Sequence, residues 1–126
     1  METQQLYRPV GLIELRLIRE ANYRRFPPRL LHQPLFYPVL NYDYAEQIAR
    51  DWNTNDAASG FMGAVTTFHV DTDYLSQFEV HVVGSAVHRE LWVPAEALDE
   101  FNQHIEGMIR ILAVFYGERF SGEREW

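Results

Sequence analysis

Three side chains capable of ligand chemistry occupy alternate positions of one short segment, 87–93. Alternation along a β-strand places His88, Glu90 and Trp92 on one face, so that a carboxylate lies between an imidazole and an indole. The opposite face is predicted to be apolar and carries Val87, Leu91 and Val93. The polar face can line a site, but an ordinary exposed sheet face carries the same kinds of residue. The strand by itself favours the ordinary exposed face.

Two further candidates lie on earlier predicted strands. Arg8 falls in the middle of segment 6–10, and Tyr37 falls inside segment 35–39. An arginine at such a position is often only a surface residue, and a tyrosine there belongs to the core more often than to a cleft. These two positions therefore gain a functional meaning only if the fold brings them together with Glu90.

Familiar binding and catalytic motifs are missing from the sequence. The five histidines form no close pair and there is no cysteine, so a metal site is not expected. Segment 60–63 is too short for a phosphate loop and precedes a strand instead of a helix. No serine has a nucleophile-elbow context. All eleven basic residues are arginine, which excludes lysine chemistry such as Schiff-base formation.

The apolar pattern predicts the element order β-α-β-α-β-β-β-α-β. The predicted strands are 6–10, 35–39, 61–70, 78–83, 87–93 and 108–115, and the predicted helices are 12–21, 43–53 and 95–105. Because the later strands follow one another through hairpin signals, the sequence favours an α+β fold with a mostly antiparallel central sheet and three helices. We expect one domain over 1–126, with an ordered core at about 6–116 and a polar tail at 117–126.

The second helix has the clearest amphipathic pattern. Its apolar stripe consists of Tyr44, Ala45, Ile48, Ala49 and Trp52. We expect the large members of this stripe to lie in the core and not in a ligand cleft, with Asp43 capping the helix or carrying charge at its N-terminus.

Composition excludes several classes of protein. The chain has 126 residues, of which 47% are hydrophobic, so it can bury a core. Its formal net charge of −7 disfavours bulk nucleic-acid binding, which requires a positive surface. The absence of cysteine and the polar N-terminus indicate a cytoplasmic protein without a signal peptide, and no segment predicts membrane insertion.

Four stretches, 7–11, 36–39, 44–53 and 91–102, resemble a family of short bacterial proteins labelled "ADP-ribosylation/crystallin J1". The similarity spans about residues 6–115. The element order also looks like a minimal ADP-ribosyltransferase fold, in which a first strand carries arginine or histidine, a second carries tyrosine or serine, and a later one carries glutamate.

This resemblance implies Arg8, Tyr37 and Glu90 as the catalytic residues, and NAD⁺ as the substrate without a metal. Arg8 and Tyr37, with His88 and Trp92, are the implied NAD⁺-binding residues. Glu90 would stabilise the oxocarbenium-like cation formed when the nicotinamide–ribose bond breaks. Arg8 would bind the ribose or diphosphate and Tyr37 would stack on the nicotinamide. The expected activity is transfer of ADP-ribose to an unknown macromolecular acceptor, or hydrolysis of NAD⁺.

A second hypothesis keeps the fold without the catalysis. The Ser-Thr-Ser run of arginine-modifying transferases is absent, and the position two before Glu90 is His88 instead of Glu or Gln. Together with the acidic charge and the aromatic content, these features fit a protein-interaction or ligand-binding module. An unrelated small enzyme remains a third interpretation.

Overall fold

The computed structural model describes residues 2–126. Its strands are β1 (Thr3–Val10), β2 (Leu35–Phe36), β3 (Met62–Asp71), β4 (Glu79–Val82), β5 (Arg89–Pro94) and β6 (Ile105–Tyr116). Its α-helices are α1 (Leu12–Glu20), α2 (Tyr42–Gln47), α3 (Thr72–Leu75) and α4 (Leu98–Gln103). A π-helical turn, Ile48–Trp52, continues α2, and short 3-10 turns cover Asn53–Asn55, Ala57–Ser59 and Ala95–Ala97.

The strands form two small antiparallel sheets. One has the order β1-β3-β6 and the other the order β2-β5-β4. Residue Val39 joins them, because its backbone pairs with Tyr7 of β1 on one side and with Glu90 of β5 on the other. The predicted α+β class and antiparallel pairing are confirmed, whereas the single central sheet is replaced by two sheets that meet at this bridge.

An aromatic cluster lies at the centre of the main core. Phe26, Phe36, Phe68 and Phe101 are almost fully buried. The ring centroids of Phe26 and Phe68 are 4.8 Å apart, and those of Phe36 and Phe101 are 5.3 Å apart. Because these residues come from different segments of the chain, their packing holds the two sheets and α4 together.

The first helix matches its prediction closely. Helix α1 begins directly after Gly11, and its residues Leu15 and Ile18 are buried in the main core. The proline-rich segment 24–29 forms no helix, as its missing amide donors predict. Regular spacing of apolar residues was thus sufficient where the backbone kept α-helical geometry.

Several boundaries differ from the predictions. Helix α2 is capped by Asn41, whose side chain accepts from the N–H of Tyr44, while Asp43 carries its charge in the first turn, the second of the two roles expected for it. The last helix ends at Gln103 instead of 105, and β6 begins at Ile105 instead of 108 and continues through Gly107. Strand β5 begins only at Arg89, and Val87 therefore lies in the preceding turn with 57% of its surface exposed instead of on an apolar face.

The C-terminal segment folds back onto α1. Glu125 pairs with Arg16 and Arg19, at 2.6 and 2.7 Å. The carbonyl of Trp126 accepts from the hydroxyl of Tyr116, and the Arg19 guanidinium lies 4.5 Å from the Trp126 ring. Within residues 2–126, no helix has the length and apolar character needed to cross a bilayer.

Candidate functional site

A cleft of about 700 Å³ opens where the two sheets meet. It is lined by the end of β1 and the start of α1, by α2 with its π-helical turn, by loop residues that include Gln33 and Tyr37 on either side of β2, and by His88 and Glu90. Arg8, Tyr37 and Glu90 all line this cleft, although they come from widely separated parts of the chain. The volume lies within the range usual for small-molecule sites.

Glu90 is held in the cleft by hydrogen bonds to both of its carboxylate oxygens. It is 9% exposed, and neither of its oxygens is left without a donor. The hydroxyl of Tyr44 donates to Oε2 at 2.5 Å, and the indole N–H of Trp92 donates to Oε1 at 3.1 Å. Burial, followed by this contact with Glu90, raises the pKa of Tyr44 well above its ordinary value. Tyr44 is therefore a neutral donor that fixes the carboxylate.

The other two residues predicted for the polar face, His88 and Trp92, have different positions. His88 lines the cleft, stacks on Tyr44 with ring centroids 4.4 Å apart, and places its Nε2 3.1 Å from Oε1 of Gln47. Trp92 does not line the cleft. Its ring stacks on His81 of β4 at 3.6 Å, and it reaches the site only through its hydrogen bond to Glu90. Trp92 is thus placed to position Glu90 and not to contact a ligand in the cleft.

Arg8 is buried in the cleft wall and already has an anionic partner. Its Nε and Nη2 donate to the two carboxylate oxygens of Glu14, at 2.7 and 3.0 Å. Its guanidinium carbon lies 4.7 Å from the Phe36 ring and 5.7 Å from the Tyr37 ring. Tyr37 itself is 40% exposed along the cleft, so it is available for stacking and is not a core residue.

A second arginine of the cleft, Arg29, was not predicted. Its Nε donates to the carbonyl oxygen of Leu35 at 3.0 Å, which anchors the half-buried guanidinium beside β2. Burial, and then the positive charge of Arg8, lowers the pKa of Arg29. The sequence shows a basic loop at 24–29, but nothing in it separates Arg29 from the exposed Arg24 and Arg25.

The wall opposite α1 also departs from the prediction. Tyr44, Ile48 and Trp52 all line the cleft. Tyr44 is nevertheless buried in the core and Ile48 packs against the same core cluster, as expected, whereas Trp52 is 60% exposed. The N–H of Asn53 donates to the carbonyl of Ile48, five residues earlier, so the helix winds as a π-turn here. One extra residue in a turn rotates the residues after it by about 100°, and this removes Trp52 from the α-helical stripe.

Close backbone packing holds this turn against the sheet. Ala45 and Ala49 face inward with Tyr44, and they pack against Val39 and Val65. A Cβ built on Gly63 of β3 would lie only 2.2 Å from the carbonyl oxygen of Ala49. The π-helical turn can therefore approach β3 only because residue 63 has no side chain.

No protein-family model, no curated protein and no solved structure matches the chain. The resemblance to ADP-ribosyltransferases consequently remains a prediction from sequence. Within the part of the chain that the structure describes, no group of three or more His, Asp or Glu side chains is arranged to hold a metal ion.

Proposed function

We propose that the cleft binds NAD⁺ and that the protein catalyses cleavage of its nicotinamide–ribose bond, transferring ADP-ribose to an acceptor or to water. The observation that carries this proposal is the convergence of Arg8, Tyr37 and Glu90 on one cleft. No local effect of the sequence would bring these three residues together, because they lie on β1, beside β2 and on β5.

Glu90 is the residue on which the chemistry depends. When the bond between C1′ and the nicotinamide nitrogen breaks, its electron pair leaves with neutral nicotinamide and positive charge develops on the ribose. A carboxylate fixed in advance by Tyr44 and Trp92 stabilises that charge without having to reorganise. Each carboxylate oxygen has a second acceptor site for a ribose hydroxyl. An oxygen of water or of the acceptor then bonds to C1′ and releases its proton to solvent.

The other residues position the dinucleotide. The pairing with Glu14 leaves three of the five N–H donors of Arg8 unused, counting one on Nη2 and two on Nη1. The exposed rings of Tyr37 and Trp52 offer flat surfaces for the nicotinamide or adenine ring. The cleft thus combines aromatic, cationic and anionic groups, each suited to a different part of NAD⁺.

Release of nicotinamide by wild type and by Glu90→Gln tests this function. The substitution keeps the shape of the side chain and removes its charge, so we expect release to fall roughly 10²-fold or more. Glu96→Gln, at an exposed position after β5, is the matched control and should retain wild-type release. Absence of release by wild type with protein, nucleic-acid and water acceptors would contradict the proposal.

A specific observation favours a second candidate, a binding module without catalysis. Glu90 and Arg8 both have protein partners already, as in a site built for rigidity. Calorimetric titration with NAD⁺ separates the two functions. Binding without nicotinamide release indicates the module, binding with release indicates the enzyme, and the absence of binding excludes NAD⁺ for both.

A further inference from the structure

Arg29 makes no ion pair within residues 2–126. The carboxylates of the cleft other than Glu14, which are Asp51, Asp56 and Glu90, accept hydrogen bonds from other side chains. Arg8 is close enough to Arg29 to disfavour the charge on Arg29, and the nearby carboxylate, Glu14, is held by Arg8 in a two-bond ion pair. The three side chains together carry one net positive charge. Such a charge in a partly desolvated position is stabilised when an anion joins it.

Arg29 is also oriented for a ligand. Its Nε is fixed by the carbonyl of Leu35, which leaves the two terminal nitrogens of the guanidinium to face other groups. Within residues 2–126, neither of these nitrogens has a hydrogen-bond or ion-pair partner. A planar pair of N–H donors held in one orientation matches two oxygens of a phosphate group.

We propose that Arg29 forms a phosphate-binding subsite of the cleft, with Arg8 as its electrostatic neighbour. The ligand group is a phosphate or diphosphate, supplied either by a nucleotide or by a free inorganic anion. Tyr37, exposed beside Arg8, favours the nucleotide because a base can stack on its ring while the phosphates bind Arg29. This subsite does not depend on cleavage of a nicotinamide–ribose bond, so it goes beyond the reaction proposed above.

Calorimetric titrations with ADP, pyrophosphate and adenosine test the subsite. We expect ADP to bind wild type more tightly than adenosine does, because only ADP carries the phosphates. Arg29→Gln should weaken ADP binding by roughly tenfold or more, the loss expected for a charge-assisted hydrogen-bonded pair, while adenosine binding is unchanged. Tighter binding of ADP than of pyrophosphate assigns the subsite to a nucleotide, and equal binding assigns it to a free anion.

Arg25→Gln is the matched control. Arg25 lies in the same basic loop, is exposed and does not line the cleft, so its substitution removes the same charge without touching the subsite. Arg29→Lys keeps the charge but loses the fork, and it should bind ADP with intermediate affinity even if Arg29→Gln folds poorly. The proposal is overturned if ADP binds no better than adenosine, or if Arg29→Gln and Arg29→Lys both bind ADP like wild type. An equal loss in Arg25→Gln would also overturn it.

Discussion

The phenylalanine cluster of the core and the aromatic wall of the cleft use the same kind of residue for opposite purposes. Phe26 and Phe68 contact other rings on several sides and are almost completely shielded from solvent. Trp52 and Tyr37 present their rings to an open cleft. Aromatic content therefore does not distinguish core from site in this protein, and for Trp52 the π-helical turn decides which of the two the ring joins.

The largest difference between the two regions should appear when a core ring is removed. Phe68→Ala should lower the free energy of unfolding by about 3–5 kcal/mol, because it deletes a buried ring that packs against Phe26 and Phe101. Denaturant unfolding measures this loss. Phe68→Leu preserves most of the side-chain volume, so its free energy of unfolding should fall much less. An unchanged midpoint for Phe68→Ala would show that Phe68 does not contribute to the core.

Tyr44 lies between the two regions, and its hydroxyl should matter to both. Tyr44→Phe removes the donor to Oε2 of Glu90 and leaves a buried carboxylate short of one hydrogen bond, which should lower the free energy of unfolding by about 1–3 kcal/mol. Tyr7→Phe is the control, since the Tyr7 hydroxyl makes no hydrogen bond within residues 2–126. Similar stability of the two variants would show that Tyr44 does not hold Glu90.

The same tyrosine predicts a pH dependence. Folding raises the pKa of Tyr44 above its ordinary value of 10.0, so the unfolded chain loses this proton first as pH rises. Stability contributed by the neutral hydroxyl is complete below pH 10 and is lost above it, with a slope of up to about 1.4 kcal/mol per pH unit for one proton. Between pH 9 and pH 11, a range of about two units around that value, the free energy of unfolding should fall more steeply with pH for wild type than for Tyr44→Phe. Equal slopes would contradict this assignment.

Regular periodicity explains which parts of the fold could be predicted. Helix α1 has a regular apolar repeat and β3 is a mostly apolar run, so both were predicted to within one residue of their observed bounds. The division into two sheets depends on Val39, a bridge between distant segments that no local pattern encodes. The start of β5 also depends on pairing between distant segments. For this reason Val87, which precedes the strand, was wrongly expected on its apolar face.

The candidate site was predictable only in part. Arg8, Tyr37, His88 and Glu90 were identified from strand alternation and resemblance, and they do line one cleft. Arg29 lies in an irregular loop, where the spacing of residues does not indicate which way a side chain points. Trp52 was misplaced because a π-turn follows α2, and the contact that accommodates this turn, between Gly63 and Ala49, joins residues that are remote from any motif.

The smallest expected change in stability is that of Trp52→Ala. An exposed ring leaves no cavity when it is removed, so the free energy of unfolding should change by about 0.5 kcal/mol or less, in contrast to Phe68→Ala. Ligand binding should behave in the opposite way. If the Trp52 ring stacks on a nicotinamide or adenine, Trp52→Ala should weaken NAD⁺ or ADP binding by about 0.5–1.5 kcal/mol, whereas Trp52→Phe should retain most of it. Denaturation and calorimetry on the same protein samples measure both quantities. A loss of stability comparable to that of Phe68→Ala would show that Trp52 belongs to the core. Unchanged affinity for both ligands would show that the Trp52 ring does not stack on either of them.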